Sequence, residues 1–143
     1  MDFSQTNSKL YERVSKNFEK QSFLSLIGAK IENVEKGKVS ISCESKDILL
    51  QQQGLLHGGV ITTLADVAGG YAALTTMPEN SEVLTVELKI NLMRPAAAEK
   101  VVAIGEVIKV GKTLAVVEAI VTDEANRILA KMMSTMFATS EKV

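Results

Sequence analysis

Hydrophobic and polar residues follow two different periods along this chain. Near its start, Leu10, Val14 and Phe18 are each four residues apart, which places them on one face of a helix. This spacing predicts a short amphipathic helix that covers part of the core. We therefore interpret residues 1–22 as an N-terminal helical segment and residues 23–143 as the main domain.

An alternation of period two begins later in the chain and predicts strands. Residues 27–35 and 38–45 are two short candidates. Three more strands, rich in Val, Ile, Ala and Met, are expected at residues 100–110, 113–122 and 127–139. The segments between these strands are short, and strands joined by short turns run antiparallel.

A longer strand is predicted within VLTVELKINLMR, residues 83–94, and Pro95 ends it. Thr85 and the charged residues of this strand are expected to lie on the face that points away from the core. Aliphatic residues alternate with these polar ones, and we expect five of them to share one buried face: Leu84, Val86, Leu88, Ile90 and Leu92.

The segment QQQGLLHGGVITTLADVAGGYAAL, residues 51–74, is apolar or small almost without interruption. We expect a loop followed by a helix from Gly58 to Met77, which Pro78 ends. A helix that is apolar nearly all round is buried. Together the elements predict an α+β fold in which an antiparallel sheet wraps around this central helix.

Asp66 is the only residue of this predicted helix that is charged at neutral pH. A buried carboxylate is costly unless it is paired, hydrogen-bonded or protonated, so Asp66 is a candidate functional group. Gly69 and Gly70 lie one turn further on and would leave a slot beside it, while Thr62 and Thr63 could hydrogen-bond it from the preceding turn. The alternative is that Asp66 is a structural residue whose hydrogen bonds are satisfied, and that Gly69 and Gly70 only allow the helix to pack closely on the sheet.

Gly58 and Gly59 open the helix, where backbone N–H groups lack partners within the helix and lie at the positive end of its dipole. Glycine lets a ligand approach such amides closely, which makes them a candidate oxyanion site. Asp66 lies about 12 Å away along the axis, at 1.5 Å per residue, too far to share one carbonyl with these amides. The spacing favours a site built by two copies of the chain. His57 is expected either to cap the helix or to take part in chemistry.

Composition and charge limit the possible partners. The chain has 143 residues, a net charge of −1 and one cysteine, Cys43. Such a charge gives no basis for binding nucleic acid or an acidic membrane surface, and no apolar run reaches the roughly 20 residues of a membrane span. A lone cysteine on the apolar face of a strand is typical of a reduced, cytoplasmic protein. We expect no metal, because no second ligand is spaced to bind one with His57, and no glycine-rich phosphate loop is present.

Two motifs in this order resemble a known family. GLLHGGVITTLADVAGGYAAL is followed by LTVELKINLMRPA, and both are similar to the hotdog-fold acyl-CoA thioesterases of the phenylacetate-degradation (PaaI-like) group. The resemblance covers residues 25–139. It implies hydrolysis of a coenzyme A thioester with no separate cofactor. It also implies homodimers whose long strands join edge to edge, often assembled as homotetramers.

The resemblance also implies roles for individual residues. Asp66 corresponds to the catalytic carboxylate, acting as general base on water or as nucleophile, and Gly58 to the glycine whose N–H holds the thioester carbonyl. Thr85 falls where related enzymes place a hydroxyl that helps hold the water or the acid. Gly59 and Gly70, beside the amides and the acid, are expected to contact the substrate.

One position departs from the family pattern, which usually has Asn six residues before the motif histidine. Here that residue is Gln51, in a run with Gln52 and Gln53 that leaves the register open by a residue or two. A glutamine in another hotdog branch positions the water or the carbonyl, so Gln51 is expected to keep that role. His57 is expected to be mainly positional at the substrate site, and Arg94 to lie near the path of coenzyme A.

Two other functions stay open at this point. A hotdog dehydratase or hydratase would need a catalytic histidine, and His57 is the only histidine. A non-catalytic acyl-CoA-binding module would use the same pocket, although such a module gains little from burying an unpaired acid. For the acyl group, an aromatic content of 4% gives no sign of an aryl substrate, and we expect medium or long fatty chains. Apolar residues near the motif could line an acyl tunnel, but a place in the core is the better interpretation.

Overall fold

The computed structural model describes residues 3–140, which form three α-helices, one short 3₁₀ helix (Asp47–Leu49) and six strands. The helices are α1 (Phe3–Phe18), α2 (Ser22–Ile27) and α3 (Gly58–Leu74). The strands are β1 (Ala29–Glu35), β2 (Lys38–Glu44), β3 (Glu82–Leu92), β4 (Lys100–Val110), β5 (Leu114–Asp123) and β6 (Ile128–Thr139). No helix among these residues is long and apolar enough to cross a membrane.

The strands form one antiparallel sheet in the order β1-β2-β4-β5-β6-β3. This sheet curves around α3, which confirms the predicted α+β architecture. The consecutive strands β3 and β4 do not pair, although a short connection joins them. Residues 93–99 cross the start of α3 instead, where Leu56 N–H donates to Ala96 O at 3.1 Å, and this crossing leaves β3 at the edge of the sheet.

α3 lies close against the sheet because small residues face each other there. A Cβ added at Gly105 of β4 would lie 2.3 Å from the backbone carbon and oxygen of Ala68. Gly69 on the helix side is confined less strictly, since its Cβ would lie 3.0 Å from the side-chain atom Val117 Cγ2. The alternative reading of Gly69, that it allows close packing of helix on sheet, is the one that the structure supports.

α3 ends at Leu74 rather than at the expected Met77. Two threonine hydroxyls compete for its last carbonyls, with Thr75 Oγ1 donating to Ala72 O and Thr76 Oγ1 to Ala73 O, each at 2.7 Å. Such local side-chain bonds offer the backbone an alternative to continued helix.

Arg13 of α1 binds the C-terminal end of α3 and so holds the N-terminal helix against it. Its guanidinium donates to four backbone carbonyl oxygens at 2.7–3.1 Å, those of Leu74, Met77, Pro78 and Ser81. Val14, one residue further on, is fully buried in the main core. The predicted amphipathic helix is therefore confirmed, and Arg13 fixes its position over the C-terminal end of α3.

The long strand β3 differs from its predicted alternation. Its pairing with β6 shifts register between Thr85 and Glu87, which leaves Val86 as a bulge. The residues before the bulge therefore switch faces, and Leu84 lies on the outer side of the sheet instead of the core side. The expectation that five aliphatic residues share one buried face is wrong, because one extra residue inverts the alternation.

Candidate active site

Asp66 and Thr85 form a hydrogen-bonded pair between α3 and the edge strand β3. Thr85 Oγ1 donates to Asp66 Oδ1 at 2.8 Å and lies 3.4 Å from Met136 Sδ. The carboxyl group is half-buried rather than deeply buried. The bulge at Val86 is what turns Thr85 towards the helix, since strict alternation would have placed it on the outer face.

A slot lies beside this pair. A cavity of about 150 Å³ is lined by Asp66, Gly70 and Thr85 among others. A Cβ built on Gly70 would meet no atom within 4 Å, so this glycine does leave open space next to the acid. Gly69 instead packs on the sheet. Of the two glycines that were expected to form the slot, Gly70 alone leaves open space beside Asp66.

The two threonines of the preceding turn do not contact the acid. Thr62 Oγ1 donates to Gly58 O at 2.8 Å, and Thr63 Oγ1 donates to Gly59 O at 2.9 Å. The expectation that they could hydrogen-bond Asp66 is wrong. A helical threonine readily bonds the carbonyl four residues back, and here that bond satisfies the hydroxyl.

His57 caps the start of α3. Its Nδ1 accepts a hydrogen bond from Gly59 N–H at 3.0 Å, and its own backbone is extended, with φ −60° and ψ 137°. The Gly59 amide is therefore occupied by the histidine. Among residues 3–140, no hydrogen bond engages the Gly58 N–H, which remains the free amide of this helix start.

A second cavity, of about 290 Å³, lies at this helix start. It is lined by Gln51, Gly58 and Arg94, together with apolar residues that include Leu92. Gln51 N–H donates to Leu55 O at 2.8 Å, and the Gln51 side-chain oxygen accepts from Gln53 N–H. Of the three glutamines, Gln51 is the one that lines this cavity, and the role that the resemblance gives it stays a prediction.

The two cavities are separate, and they have no lining residue in common among residues 3–140. Both lie along β3, one near Thr85 and the other near Leu92. Asp66 and Gly58 are eight residues apart on α3, about 12 Å along its axis. One protomer thus presents a carboxylate and a free amide at opposite ends of the same edge strand.

Sequence reasoning missed two polar residues that line the slot, Asn17 near the end of α1 and Gln21 just before α2. Asn17 and Gln21 border the cavity with Tyr71 and Glu82. A signal for Asn17 was present, because it lies seven residues after Leu10 and so falls on the apolar face of the amphipathic helix. A polar residue at such a position either meets a partner or faces a cavity, and Asn17 does both.

Comparison with known proteins gives the family. The sequence model of the Thioesterase superfamily matches residues 53–130, more than half of the chain. This chain belongs to the thioesterase superfamily. The thioesterase is 35% identical over 103 residues to the 1,4-dihydroxy-2-naphthoyl-CoA hydrolase of Listeria monocytogenes, an alignment that covers 72% of this chain and 84% of that relative.

Solved structures agree with the hotdog fold. A thioesterase family protein from Silicibacter pomeroyi superposes with a TM-score of 0.87 at 36% identity, over 90% of this chain and 97% of the other. The PaaI protein of the E. coli phenylacetic acid degradation operon superposes with a TM-score of 0.86 over 93% and 95%, and at 19% identity it shows the fold alone. The predicted PaaI-like hotdog fold is confirmed, and this thioesterase is a thioester hydrolase.

Proposed function

We propose that this thioesterase hydrolyses acyl-CoA thioesters to a free acid and coenzyme A, in active sites that two copies of the chain share. The hydrogen-bonded pair of Asp66 and Thr85, open to a slot at the sheet edge, carries the proposal. The named activity of the Listeria relative, a CoA hydrolase, supports coenzyme A as the thiol half of the substrate.

The chemistry needs a base and an oxyanion donor. Asp66 takes a proton from a water molecule, whose oxygen attacks the thioester carbonyl carbon. The Gly58 N–H of the other copy donates to the carbonyl oxygen as it becomes negative. The C–S bond then breaks, the acid leaves with the water oxygen, and the CoA thiolate takes the proton that Asp66 had removed from the water. Thr85, bonded to Oδ1, directs the other carboxylate oxygen towards the water.

A nucleophilic route uses the same groups. The Asp66 carboxylate attacks the carbonyl carbon, CoA thiolate leaves, and water hydrolyses the resulting mixed anhydride. A single turnover in ¹⁸O-labelled water separates the two routes. The nucleophilic route allows the first product to carry an unlabelled oxygen from Asp66, whereas the general-base route labels the product in its first turnover.

The edge strand supplies the seam between two copies. Within residues 3–140, β3 pairs only with β6, and its free edge carries exposed apolar side chains, with Val86 62% and Leu92 56% exposed. Antiparallel pairing of β3 with its copy about a point at Lys89, with Val86 kept as a bulge, places Thr85 of one chain opposite Leu92 of the other. A two-fold axis at that point brings the slot of each copy to the Gly58 cavity of its partner.

A dimer of dimers can use the outer face of the same sheet. Leu84 and Leu114 both pair with Phe137 across the strands, and all three are exposed. An exposed aliphatic and aromatic cluster of this kind is typical of a protein interface. We therefore infer a homodimer as the catalytic unit and a homotetramer as its further assembly.

The remaining residues of the Gly58 cavity fit roles in binding. Gln51 lines this cavity with both carboxamide atoms bonded to Gln53, and turning away from Gln53 would free its amide to donate to the carbonyl or hold the water. His57 keeps the helix start in place by capping it. Arg94 is exposed at the cavity rim, and a guanidinium there suits the phosphates of coenzyme A. Because His57 Nδ1 accepts a backbone hydrogen bond, the hydratase alternative would have to use Nε2 of this histidine as its catalytic group.

Thiol release tests the proposal directly. A panel of acyl-CoA esters, from acetyl through palmitoyl to phenylacetyl, is incubated with the protein, and free CoA is followed with a colorimetric thiol reagent. We expect release from at least one ester, a loss of about 10²-fold or more in kcat for Asp66→Asn, and retained binding of the ester to that variant by calorimetry. Unchanged hydrolysis by Asp66→Asn would remove Asp66 as the catalytic group. Binding without hydrolysis by the wild type would favour the binding module.

A further inference from the structure

The slot beside Asp66 continues along α3 and β3, away from the catalytic pair. Tyr71, five residues after Asp66, lies about 8 Å further along the helix axis. Glu82 lies three residues before Thr85, about 10 Å along the strand. An acyl group whose carbonyl is held at the acid therefore has a slot of about 8–10 Å, whose side walls are Val67, Gly70, Leu74 and Val83.

Polar side chains meet at the far end of this slot. Asn17 Nδ2 donates to Glu82 Oε2 at 3.2 Å, and Asn17 Oδ1 accepts from the Tyr71 hydroxyl at 3.0 Å. Gln21 Nε2 donates to the same hydroxyl at 2.6 Å. Asn17 and Glu82 are half-buried and Tyr71 is buried, so the network is a formed wall of the slot and not a loose surface cluster.

The helix that supplies Asn17 is held firmly. Arg13 lies one turn before Asn17 on α1 and binds four carbonyl oxygens at the end of α3. Phe18, beside Asn17, packs its ring on Tyr71 with 6.1 Å between ring centroids. Asn17 is therefore presented to Glu82 from an anchored element, as a residue that orients a ligand-binding group must be.

Glu82 can accept a further hydrogen bond. A carboxyl group offers two oxygens with about four lone-pair positions, and Asn17 uses one of them. We propose that the slot selects acyl groups that carry a hydroxyl at their far end, with Glu82 as its acceptor and Asn17 as the residue that positions Glu82. This inference rests on the proposed hydrolysis at Asp66.

The size and polarity of the slot both favour a short acyl group of this kind. A volume of about 150 Å³ is below the roughly 300–1,000 Å³ of pockets for drug-sized ligands. A methyl terminus at the far end would displace water from the polar network and return no hydrogen bond. The slot thus departs from the medium or long fatty chain that the sequence favoured.

A matched pair of substrates tests the inference. An extended chain advances about 1.2 Å per bond, so a 6-hydroxyhexanoyl group spans about 7 Å from its carbonyl carbon to its hydroxyl oxygen. A hydrogen bond of about 2.8 Å then reaches the far end of the slot. Heptanoyl-CoA replaces that hydroxyl with a methyl group at equal length. We expect the wild type to favour 6-hydroxyhexanoyl-CoA by about 10- to 100-fold in kcat/KM.

Variants identify the acceptor. Glu82→Leu should bring the ratio of the two kcat/KM values close to one, while Glu82→Gln, which keeps an acceptor oxygen, should retain part of the preference. Glu79→Gln is the matched control, since Glu79 is exposed, does not line the slot and also lies near Arg13. A calorimetric comparison of both esters on Asp66→Asn should show the same preference in Kd, independent of the chemical step.

The outcomes separate this inference from the proposed function. Equal kcat/KM values for the two esters in the wild type would overturn the selection for a hydroxyl and leave thioester hydrolysis standing. Hydrolysis of neither these esters nor any in the wider panel would overturn both. A preference that survives in full in Glu82→Leu would remove Glu82 as the acceptor.

Discussion

Complementation between two inactive variants would show whether the active site is shared. The first variant is Asp66→Asn, which removes the base. The second is Gly58→Pro, which removes the free N–H. Proline fits the first position of a helix, and the preceding His57, at φ −60° and ψ 137°, already has the extended backbone that a following proline requires. The mixed dimer then holds one site with both lesions and one site with neither.

The expected kcat of the mixture follows from the distance between Gly58 and Asp66. A carbonyl bound at the Gly58 amide and a water held by Asp66 must lie within about 3 Å of their partners. The roughly 12 Å of helix axis between these residues exceeds that reach, so a site within one chain is ruled out by the proposal. Random mixing gives half mixed dimers with one intact site of two, and the mixture should regain about a quarter of wild-type kcat.

The assay follows CoA release after the two variants are mixed, unfolded and refolded together, with different affinity tags confirming mixed dimers. Each parent alone should retain about 1% of activity or less, because loss of one oxyanion donor costs about 10²–10³-fold. Gly58→Ala is the control for the proline, since it keeps the N–H while adding a Cβ that meets only the flexible end of Leu92. Activity that stays at the parental level in verified mixed dimers would refute the shared site.

Three further predictions follow from single contacts. Thr85→Val should lower kcat about tenfold or more, because it removes the 2.8 Å hydrogen bond to Asp66, while Thr85→Ser should keep a kcat near that of the wild type. Equal kcat values for the two variants would exclude a role for the hydroxyl. Gly105→Ala should lower the free energy of unfolding by about 1–3 kcal/mol, since its Cβ would meet the α3 backbone at 2.3 Å. Gly70→Ala should raise the free energy of unfolding by up to about 1 kcal/mol, and it should also raise KM. Urea unfolding that shows Gly105→Ala as the more stable variant would contradict this packing. Burial raises the pKa of Tyr71 to about 12, so its phenolate absorbance should appear near that pH and be absent from Tyr71→Phe. The unfolded chain releases this proton near pH 10, and the free energy of unfolding should therefore fall as pH rises from about 10 to 12, less steeply in Tyr71→Phe.

Much of the fold could be predicted because the signals are local. Burial on one side of a strand or all round a helix is recorded in the spacing of apolar residues, and this spacing located α1, the six strands and α3. Asp66 was detectable for a related reason. A single acid in an apolar helix conflicts with that pattern, and such conflicts arise where a residue serves something other than the core.

What the sequence could not show depends on pairing between distant segments. The edge position of β3 results from the crossing of residues 93–99, and nothing in the local pattern of β3 distinguishes an edge strand from a central one. The polar residues that line the slot could not be predicted for the same reason. Asn17 and Glu82 are 65 residues apart, and their contact exists only because Arg13 holds α1 against the end of α3.

The bulge at Val86 accounts for both the main error in the sequence reading and the main feature of the site. If β3 alternated strictly, Leu88 and Ile90 could face the core only with Thr85 turned outward, away from Asp66. The extra residue separates these demands, so that Ile90 after it packs on the core while Thr85 before it faces the slot. A bulge beside an active site is a common way to redirect a side chain. Here it places a hydroxyl on the acid with only a local shift in the β3–β6 pairing. The sequence gives no sign of the bulge, because Val86 continues the alternation.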